Sequence, residues 1–328
     1  MLRVAINGLG RIGRAAFKII RQRPELELVA VNDLVPVDNL AYLLQFDTVY
    51  GKYEKEVSYE ENELITGDKK HKVFSIKDPM ELPWKDLGID IVFECTGIFN
   101  TTEDLEKHIK AGAQKVILSA PSKSPETVTI VHGVNEQKGE DKIISCASCT
   151  TNCITPVVEI MARRIGIKKA IMTTIHAYTS TQTIVDLPSK KWRRGRAAAC
   201  NLVPTSTGAA KATTKVLPEF EGKFDGVAVR APVPVGSVAD LVFVTEKKVK
   251  VEEVNAVFLE ESQTERYFGV LGVAKIPLVS SDITKDPRAS IVDPDMTRVI
   301  DGDLVKIMSW YDNEWGYANQ MVNEAIPG

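Results

Sequence analysis

Cys149 lies in the run Ser148-Cys149-Thr150-Thr151-Asn152-Cys153, and Thr173-Thr174-Ile175-His176-Ala177-Tyr178-Thr179 follows further along the chain. A cysteine, a histidine and a set of small hydroxyl donors are the equipment for covalent attack on a carbonyl carbon. A thiol is a weak nucleophile at its ordinary pKa, so its surroundings have to favour the thiolate. After Cys149, apolar residues recur at Cys153, Val157, Ile160, Met161 and Ile165, which predicts a helix with the thiol at its N-terminus. The positive end of the helix dipole there lowers the thiol pKa. Pro156 is expected to kink the helix after its first turns and to leave that end intact. His176 is the second stabiliser, as an imidazolium partner or as a general base.

A metal site is the competing use of Cys146, Cys149 and Cys153, because Cys-x2-Cys-x3-Cys can hold zinc or an iron-sulfur cluster. No fourth ligand stands nearby in the sequence, and the three fall at a strand end and along a helix. The reading without a metal is preferred.

The elements that carry these residues belong to a chain of 328 residues, long enough for two domains and a sizeable cleft. With 44% hydrophobic and 26% charged residues, the composition is that of a soluble globular protein. No segment has the unbroken apolar length of a membrane helix. Met1 leads through Arg3 straight into the strand-like Val4-Ala5-Ile6, which leaves no room for a signal peptide. The five cysteines are odd in number and suit reduced thiols, so a cytoplasmic location is expected. A net charge of −3 gives no reason to expect nucleic acid as a partner.

The first half reads as a nucleotide-binding sheet. A strand ends in Gly8-Leu9-Gly10-Arg11-Ile12-Gly13, and Ile12, Ala15, Ala16, Ile19 and Ile20 then mark one face of a helix. Leu28-Val29-Ala30-Val31-Asn32-Asp33 reads as the next strand, ending on an acid placed to accept hydrogen bonds from a ribose. Gly8 permits the turn, Gly10 lets the backbone approach a pyrophosphate, and Gly13 allows close helix packing, while the helix N-terminus attracts phosphate. Asp33 repels a 2′-phosphate, so NAD is favoured over NADP. Strands are expected at 91–95, 115–119 and 142–145, with a helix from Thr102 to Ala111, and Thr96-Gly97 and Ser119-Ala120-Pro121 fall at strand ends where such sheets bind ligands. The polar stretch from Asp47 to Trp84 reads as hairpin-like.

Beyond Cys149 the strands lengthen, to 170–176, 224–233, 237–249 and 303–311, with helices expected at 208–217 and 251–264. Val238-Ala239-Asp240-Leu241-Val242-Phe243-Val244 suggests a sheet buried mainly on one face, mixed or antiparallel. The fold expected is α/β, a doubly wound Rossmann-type parallel sheet domain plus an α+β catalytic domain with a large mixed/antiparallel sheet. The boundaries expected are 1–148 for the NAD-binding domain and 149–313 for the catalytic domain, with a short C-terminal helical segment, 314–328, packing back on the former. The thiol then stands where the two halves meet. From Thr179 to Pro204 the chain is irregular and basic, with Lys190, Lys191, Arg193, Arg194 and Arg196, which suits an oligomer contact or an anionic substrate as well as a solvated face. Thr205-Ser206-Thr207-Gly208 opens a helix and offers donors to a phosphate, or simply caps it.

Taken together, Asn7 to Arg14, Ala147 to Cys153, His176 to Thr179, Pro204 to Lys211 and Trp310 to Tyr317 resemble the glyceraldehyde-3-phosphate dehydrogenase family, over essentially the whole chain. The resemblance implies a phosphorylating aldehyde oxidation, a step of glycolysis, in which Cys149 forms a hemithioacetal, His176 takes the proton, hydride passes to NAD, and inorganic phosphate cleaves the thioester. It implies Thr179, Arg194 and Arg230 as ligands of the substrate phosphate, and Ser148, Thr150 or Thr151, Thr207 and Gly208 as ligands of the attacking phosphate. Arg11, Ile12, Asp33, Lys77, Thr96, Ser119 and Asn313 are the implied cofactor contacts beside Gly8 and Gly10, and Leu187-Pro188 resembles the NAD-using pattern. The family is homotetrameric, with the basic loop reaching a neighbouring subunit. Leu9 stands in place of the usual phenylalanine, Lys77 in place of a frequent arginine near the adenine, and Val235-Gly236 in place of a common Asn-Val. Two alternatives remain: erythrose-4-phosphate dehydrogenase, whose thioester goes to water, and a non-enzymatic NAD-sensing protein. Cys149 and His176 argue against the second. Cys149→Ser is expected to abolish turnover while NAD binding, followed by titration, persists; an active serine variant would refute the covalent mechanism.

Overall fold

The computed structural model describes residues 1–137, 139 and 141–326. Pro327 and Gly328, the end of the expected C-terminal segment, lie outside the described residues. Packing divides the chain into two units: Met1–Ile130 with Gln137–Ala147 and Met321–Gly328, and Val131–Glu136 with Ser148–Gln320. Among the described residues no helix is long and apolar enough to cross a membrane.

The first unit runs β1 (Leu2–Asn7), α1 (Arg11–Ile20), β2 (Leu26–Asn32), α2 (Val37–Gln45), β3 (Phe46–Asp47), β4 (Gly51–Lys52), β5 (Val57–Glu60), β6 (Glu63–Thr66) and β7 (Lys69–Phe74). It continues through β8 (Ile91–Glu94), α3 (Thr102–Lys110), β9 (Lys115–Leu118), β10 (Val128–Thr129) and β11 (Ile143–Ser145). Nine strands form one sheet in the order β10-β11-β9-β8-β1-β2-β7-β6-β5. From β10 to β7 every pairing is parallel, while β7, β6 and β5 form an antiparallel meander in the stretch read as hairpin-like. Val4, Ala5 and Ile6 are all fully buried, as befits a central parallel strand covered on both faces.

The turn after β1 is built as one piece with α1. Gly8 has φ +91°, and a Cβ there would stand 2.7 Å from the Thr96 amide nitrogen. A Cβ on Gly13 would collide with the Gly8 carbonyl oxygen, whereas one on Gly10 meets nothing within 4 Å. The three glycines thus have different reasons, and only Gly10 looks out into free space.

His71 on β7 is buried, with Nδ1 donating to the Leu28 carbonyl at 2.8 Å and Nε2 accepting from the Thr66 hydroxyl at 3.0 Å. Both ring nitrogens are therefore used by the neutral form, and burial pushes its pKa down to about 4.

The second unit runs α4 (Cys149–Arg164), β12 (Ile167–Ala177), β13 (Val203–Ser206), α5 (Ala209–Val216), β14 (Phe224–Ala231), β15 (Ser237–Thr245), α6 (Val251–Glu261), β16 (Leu271–Val273), β17 (Ser290–Ile300) and β18 (Leu304–Tyr311). The last helix, α7 (Trp315–Asn323), follows. Its seven-stranded sheet has the order β13-β14-β12-β15-β18-β17-β16, with β12–β14 and β16–β17 parallel and the rest antiparallel. Met172, Thr174 and His176 turn to the buried face, where α4 contributes Cys153, Val157, Ile160 and Met161 to the core, while Ile171 on the opposite face is 60% exposed. The helix α4 runs unbroken through Pro156. Three strands of this unit were not foreseen, nor was β10 in the first: β13 and β17 contain Pro204 and Pro294, and β16 is only three residues long.

Gly13→Ala is expected to lower unfolding stability by about 1–3 kcal/mol despite alanine's better helix propensity, and Gly10→Ala to leave it nearly unchanged. Equal denaturation midpoints for the two would contradict the collision at Gly13. For His71 the folded-state pKa lies below its ordinary 6.5, so its contribution is complete above pH 6.5 and is lost as pH falls toward 4. Acid titration of stability should lose up to about 3 kcal/mol from this residue across that window, a slope that His71→Gln removes.

Candidate active site

The site in the second unit begins at the N-terminus of α4. Ser148 caps the helix, its hydroxyl accepting from the Thr151 amide at 3.1 Å and lying 2.8 Å from the Thr151 hydroxyl. The preceding Ala147 has φ +54°, a left-handed conformation that is uncommon for a residue with a Cβ. From this end the Cys149 Sγ faces His176 Nε2 at 3.4 Å. His176 is brought there by β12, whose parallel register sets it opposite Arg230 on β14.

The imidazole is fixed by its other nitrogen. Nδ1 lies 2.7 Å from the Ala177 carbonyl oxygen, which can only accept, and against the Arg230 guanidinium, which can only donate; when the carbonyl takes the Nδ1 proton, the Nε2 lone pair faces the thiol. The Arg230 guanidinium lies against Nδ1 and donates to the same carbonyl at 3.0 Å. Burial, with the Arg230 charge second, pushes the His176 pKa down to about 3. The ring is neutral at physiological pH.

The thiol departs from expectation. Burial pushes its pKa up; the charge of Arg230, the Thr150 hydroxyl and the backbone amides of Thr150 and Cys149 pull it down but do not prevail. The helix terminus therefore acts as predicted, and desolvation outweighs it. The resting pair is a thiol beside a neutral imidazole, an arrangement that suits a general base better than a standing imidazolium partner. Behind the pair, the buried Tyr311 hydroxyl joins Thr150 at 2.9 Å and Thr174 at 2.8 Å, and its ring meets the edge of His176.

The anion-ligand candidates converge through the same strands. Val203 on β13 is in register with Arg230, and Arg194 donates from Nε to Thr205 at 3.0 Å. Its positive charge is felt by both His176 and Arg230. Thr179 follows β12, its hydroxyl 2.9 Å from that of Thr181 and its amide donating to Gln182 Oε1 at 3.3 Å. Thr207 accepts from the Ala209 amide at 3.2 Å, and Gly208 caps α5 with open space where a Cβ would point. Thr151 is fully buried with its hydroxyl on Ser148, whereas the Thr150 hydroxyl lies 4.0 Å from the Cys149 sulfur.

In the first unit, Gly8, Gly10, Asp33, Lys77 and Thr96 line a cavity of about 750 Å³. Asp33 is held at its edge, accepting from the amides of Leu9 at 2.7 Å and Val35 at 3.0 Å. Arg11 is paired with Asp47 and lies over the Tyr50 ring; Ile12 is in the first turn of α1, and Ser119 follows β9 with its amide on the Glu94 carbonyl. These three are not among the cavity-lining residues. The site fits a dinucleotide on two observations: the empty direction at Gly10, where backbone can approach a phosphate, and a carboxylate fixed where a ribose would be met. Asn313 belongs to the second unit, its Oδ1 accepting from the Ser237 hydroxyl at 2.9 Å. Among the described residues no three of His, Cys, Asp or Glu are grouped to hold a metal ion.

Several contributors escaped the sequence. Ala177 acts through its carbonyl, and Asp47 and Gln182 hold other site residues, none of which has a local signature; Thr205, read as part of a phosphate-binding or capping run, instead holds Arg194. Tyr311 lay within the block Trp310 to Tyr317, but nothing in that run indicates a partner in α4.

The family profile of glyceraldehyde 3-phosphate dehydrogenase, NAD binding domain, matches residues 2–102, and that of glyceraldehyde 3-phosphate dehydrogenase, C-terminal domain, matches residues 148–313. The chain is 48% identical to a glyceraldehyde-3-phosphate dehydrogenase of Streptomyces coelicolor, over 99% of this chain and 98% of the other. It is 51% identical to one of Thermotoga maritima, over 98% of both chains. With one of Geobacillus stearothermophilus the identity is 48%, over 99% of this chain and 97% of the other.

With the base removed, His176→Asn should slow alkylation of Cys149 at neutral pH and lower kcat by about 10²–10⁴-fold. Alkylation kinetics equal to those of the parent would refute the role. Because Arg230 helps to depress the imidazole, Arg230→Gln should raise the His176 pKa from about 3, read by NMR titration; an unmoved or lower value would contradict the contact.

Proposed function

Because the chain belongs to the glyceraldehyde-3-phosphate dehydrogenase family and is an NAD-dependent oxidoreductase of glyceraldehyde 3-phosphate, we propose that Cys149 is its nucleophile, His176 its base and inorganic phosphate its acyl acceptor. The observation that carries the reading is the 3.4 Å approach of the thiol to His176 Nε2, the nitrogen left open when Nδ1 donates to the Ala177 carbonyl.

The thiol proton passes to His176 Nε2 as Sγ bonds to the aldehyde carbon, and the imidazolium returns it to the new alkoxide, giving a hemithioacetal. His176 then removes the hydroxyl proton as the carbonyl reforms and a hydride departs, leaving a thioester. NAD, when bound, supplies the acceptor for that hydride. Phosphate oxygen attacks the thioester carbon, the C–S bond breaks, and an acyl phosphate, 1,3-bisphosphoglycerate, leaves Cys149 as a thiolate. The amides of Cys149 and Thr150 and the charge of Arg230 are the groups that meet this negative sulfur.

Thr179, Arg194 and Arg230 hold the substrate phosphate in this proposal, and Ser148, Thr150, Thr151, Thr207 and Gly208 receive the attacking one. Two guanidinium groups near one imidazole suit a dianion better than a neutral sugar. Gly8, Gly10, Arg11, Ile12, Asp33, Lys77, Thr96, Ser119 and Asn313 are the proposed cofactor contacts. A homotetramer accords with the apolar side chains that a single chain exposes, Ile171 and Val227 on the open sheet face and Ile184 and Trp192 in the basic loop. A cytoplasmic setting accords with five free cysteines.

NADH formation from glyceraldehyde 3-phosphate should depend on added inorganic phosphate. Equal turnover without it would assign the thioester to water, as in the erythrose-4-phosphate enzyme. Sedimentation should give four chains per particle, and a monomer at micromolar concentration would reject the tetramer.

A further inference from the structure

Beneath the cavity of the first unit runs a chain of buried polar groups that the reaction does not use. Asn32 anchors one end: its Oδ1 accepts from the Ile76 amide and its Nδ2 donates to the Ile76 carbonyl, both at 2.9 Å. Backbone groups of fixed polarity therefore decide which end of this amide is which. Asn32 Nδ2 also donates to Asn7 Oδ1 at 2.7 Å, which turns Asn7 Nδ2 toward Glu94 Oε2 at 2.6 Å. At the other end the Trp84 indole, a donor only, gives its proton to His108 Nδ1 at 3.0 Å. The ring proton then sits on Nε2, which faces Glu94 Oε2 at 3.1 Å. The Thr96 amide donates to Glu94 Oε1 at 2.8 Å, and the Thr96 hydroxyl bonds to the same oxygen.

The side chains of Glu94 and His108 are 0% exposed. Each group that meets the carboxyl is a donor, and the orientation of Asn7 and His108 is imposed from beyond them. Only a group that accepts at both oxygens closes such a chain, and a carboxylate does so. Its partners Asn7 and Thr96 line the cavity together with Gly8, whose backbone lies so near the Thr96 amide that a Cβ would not fit.

We propose that Glu94 is a positioning residue for NAD, its buried carboxylate clamping Asn7 and Thr96 on either side of the glycine turn while His108, held as the Nε2–H tautomer by Trp84, braces it. The proposal rests on the reading that this cavity receives NAD. It carries a sign of its own. Charge repulsion alone would make loss of a buried anion tighten the binding of a pyrophosphate, whereas loss of the clamp weakens it. In Glu94→Gln the amide nitrogen faces donors at one of the two oxygen positions, and Thr96 or Asn7 must turn away.

The test is NAD affinity by calorimetry on the full chain, together with the tautomer of His108 by ¹⁵N NMR. Glu94→Gln should bind NAD about tenfold more weakly, with kcat at saturating NAD within about threefold of the parent. Unchanged or tighter binding overturns the proposal. In the unsubstituted protein His108 should be protonated on Nε2 and bare on Nδ1, and the reverse tautomer overturns it whatever the variants do. Leu105→Ala, which softens α3 from the same buried face, should leave NAD affinity within twofold; a loss equal to that of Glu94→Gln would reduce the effect to general destabilisation and sink the proposal. Should Glu94→Gln fail to fold, Trp84→Phe decides, with a mixed His108 tautomer and about threefold weaker NAD expected and parental values for both fatal. Asp33→Ala separates the two readings. If it weakens NAD while Glu94→Gln does not, only the clamp fails; if it binds as the parent does, the cavity assignment fails and the clamp with it.

Discussion

Burial of the thiol and imidazole is the constraint around which the second unit is organised. Desolvation of the buried imidazole and the half-buried thiol outweighs the groups that would charge them, so His176 is held neutral and Cys149 protonated. Such a pair is poised and not yet activated. Every charge that the proposed chemistry generates would be met by protein groups already in place. The amides at the start of α4, the Arg230 guanidinium and the Ala177 carbonyl are those groups, and each is attached to backbone that regular structure has fixed.

The sheet register does the fixing. Thr174 is opposite Ala228 and His176 opposite Arg230, so the small residue leaves room two positions before the large one is needed. Moving either strand by one residue would carry its side chain to the solvent face, because strand side chains alternate. The pairing of His176 with Arg230 is thereby tied to the hydrophobic alternation of β12, and a slip that misplaced His176 would also expose Met172.

Much of this was legible. The glycine turn, the helix starting at Cys149 and the long strands of the second half follow from spacing and periodicity, which are local. The direction of the thiol pKa was not, because helix dipole and desolvation oppose each other and only the folded structure says how deep the sulfur lies. The strand β17 was hidden by Asp293-Pro294-Asp295, which reads as a turn; the structure absorbs it as an irregularity in register between Asp293 and Arg298. The neighbourhood of His176 and Arg230 depended on a parallel pairing between strands far apart in sequence, a choice that alternation alone does not reveal. Glu94 was read as part of an ordinary strand, since nothing local distinguishes a buried carboxylate from a solvated one.

The far end of α4 bears on the near one. Glu159 receives the Tyr267 hydroxyl and Arg266, Arg163 reaches both Glu159 and Glu261, and Arg164 reaches Glu260 and Glu261. The helix is about 24 Å long by its residue count. It is a strut pinned at one end by these ion pairs and at the other by Ser148, with Cys149 on its tip. Wear at the pinned end would reach the tip as misalignment while leaving each reacting group chemically intact. The placing of Cys149 then depends in part on charged side chains about four turns away along the same helix.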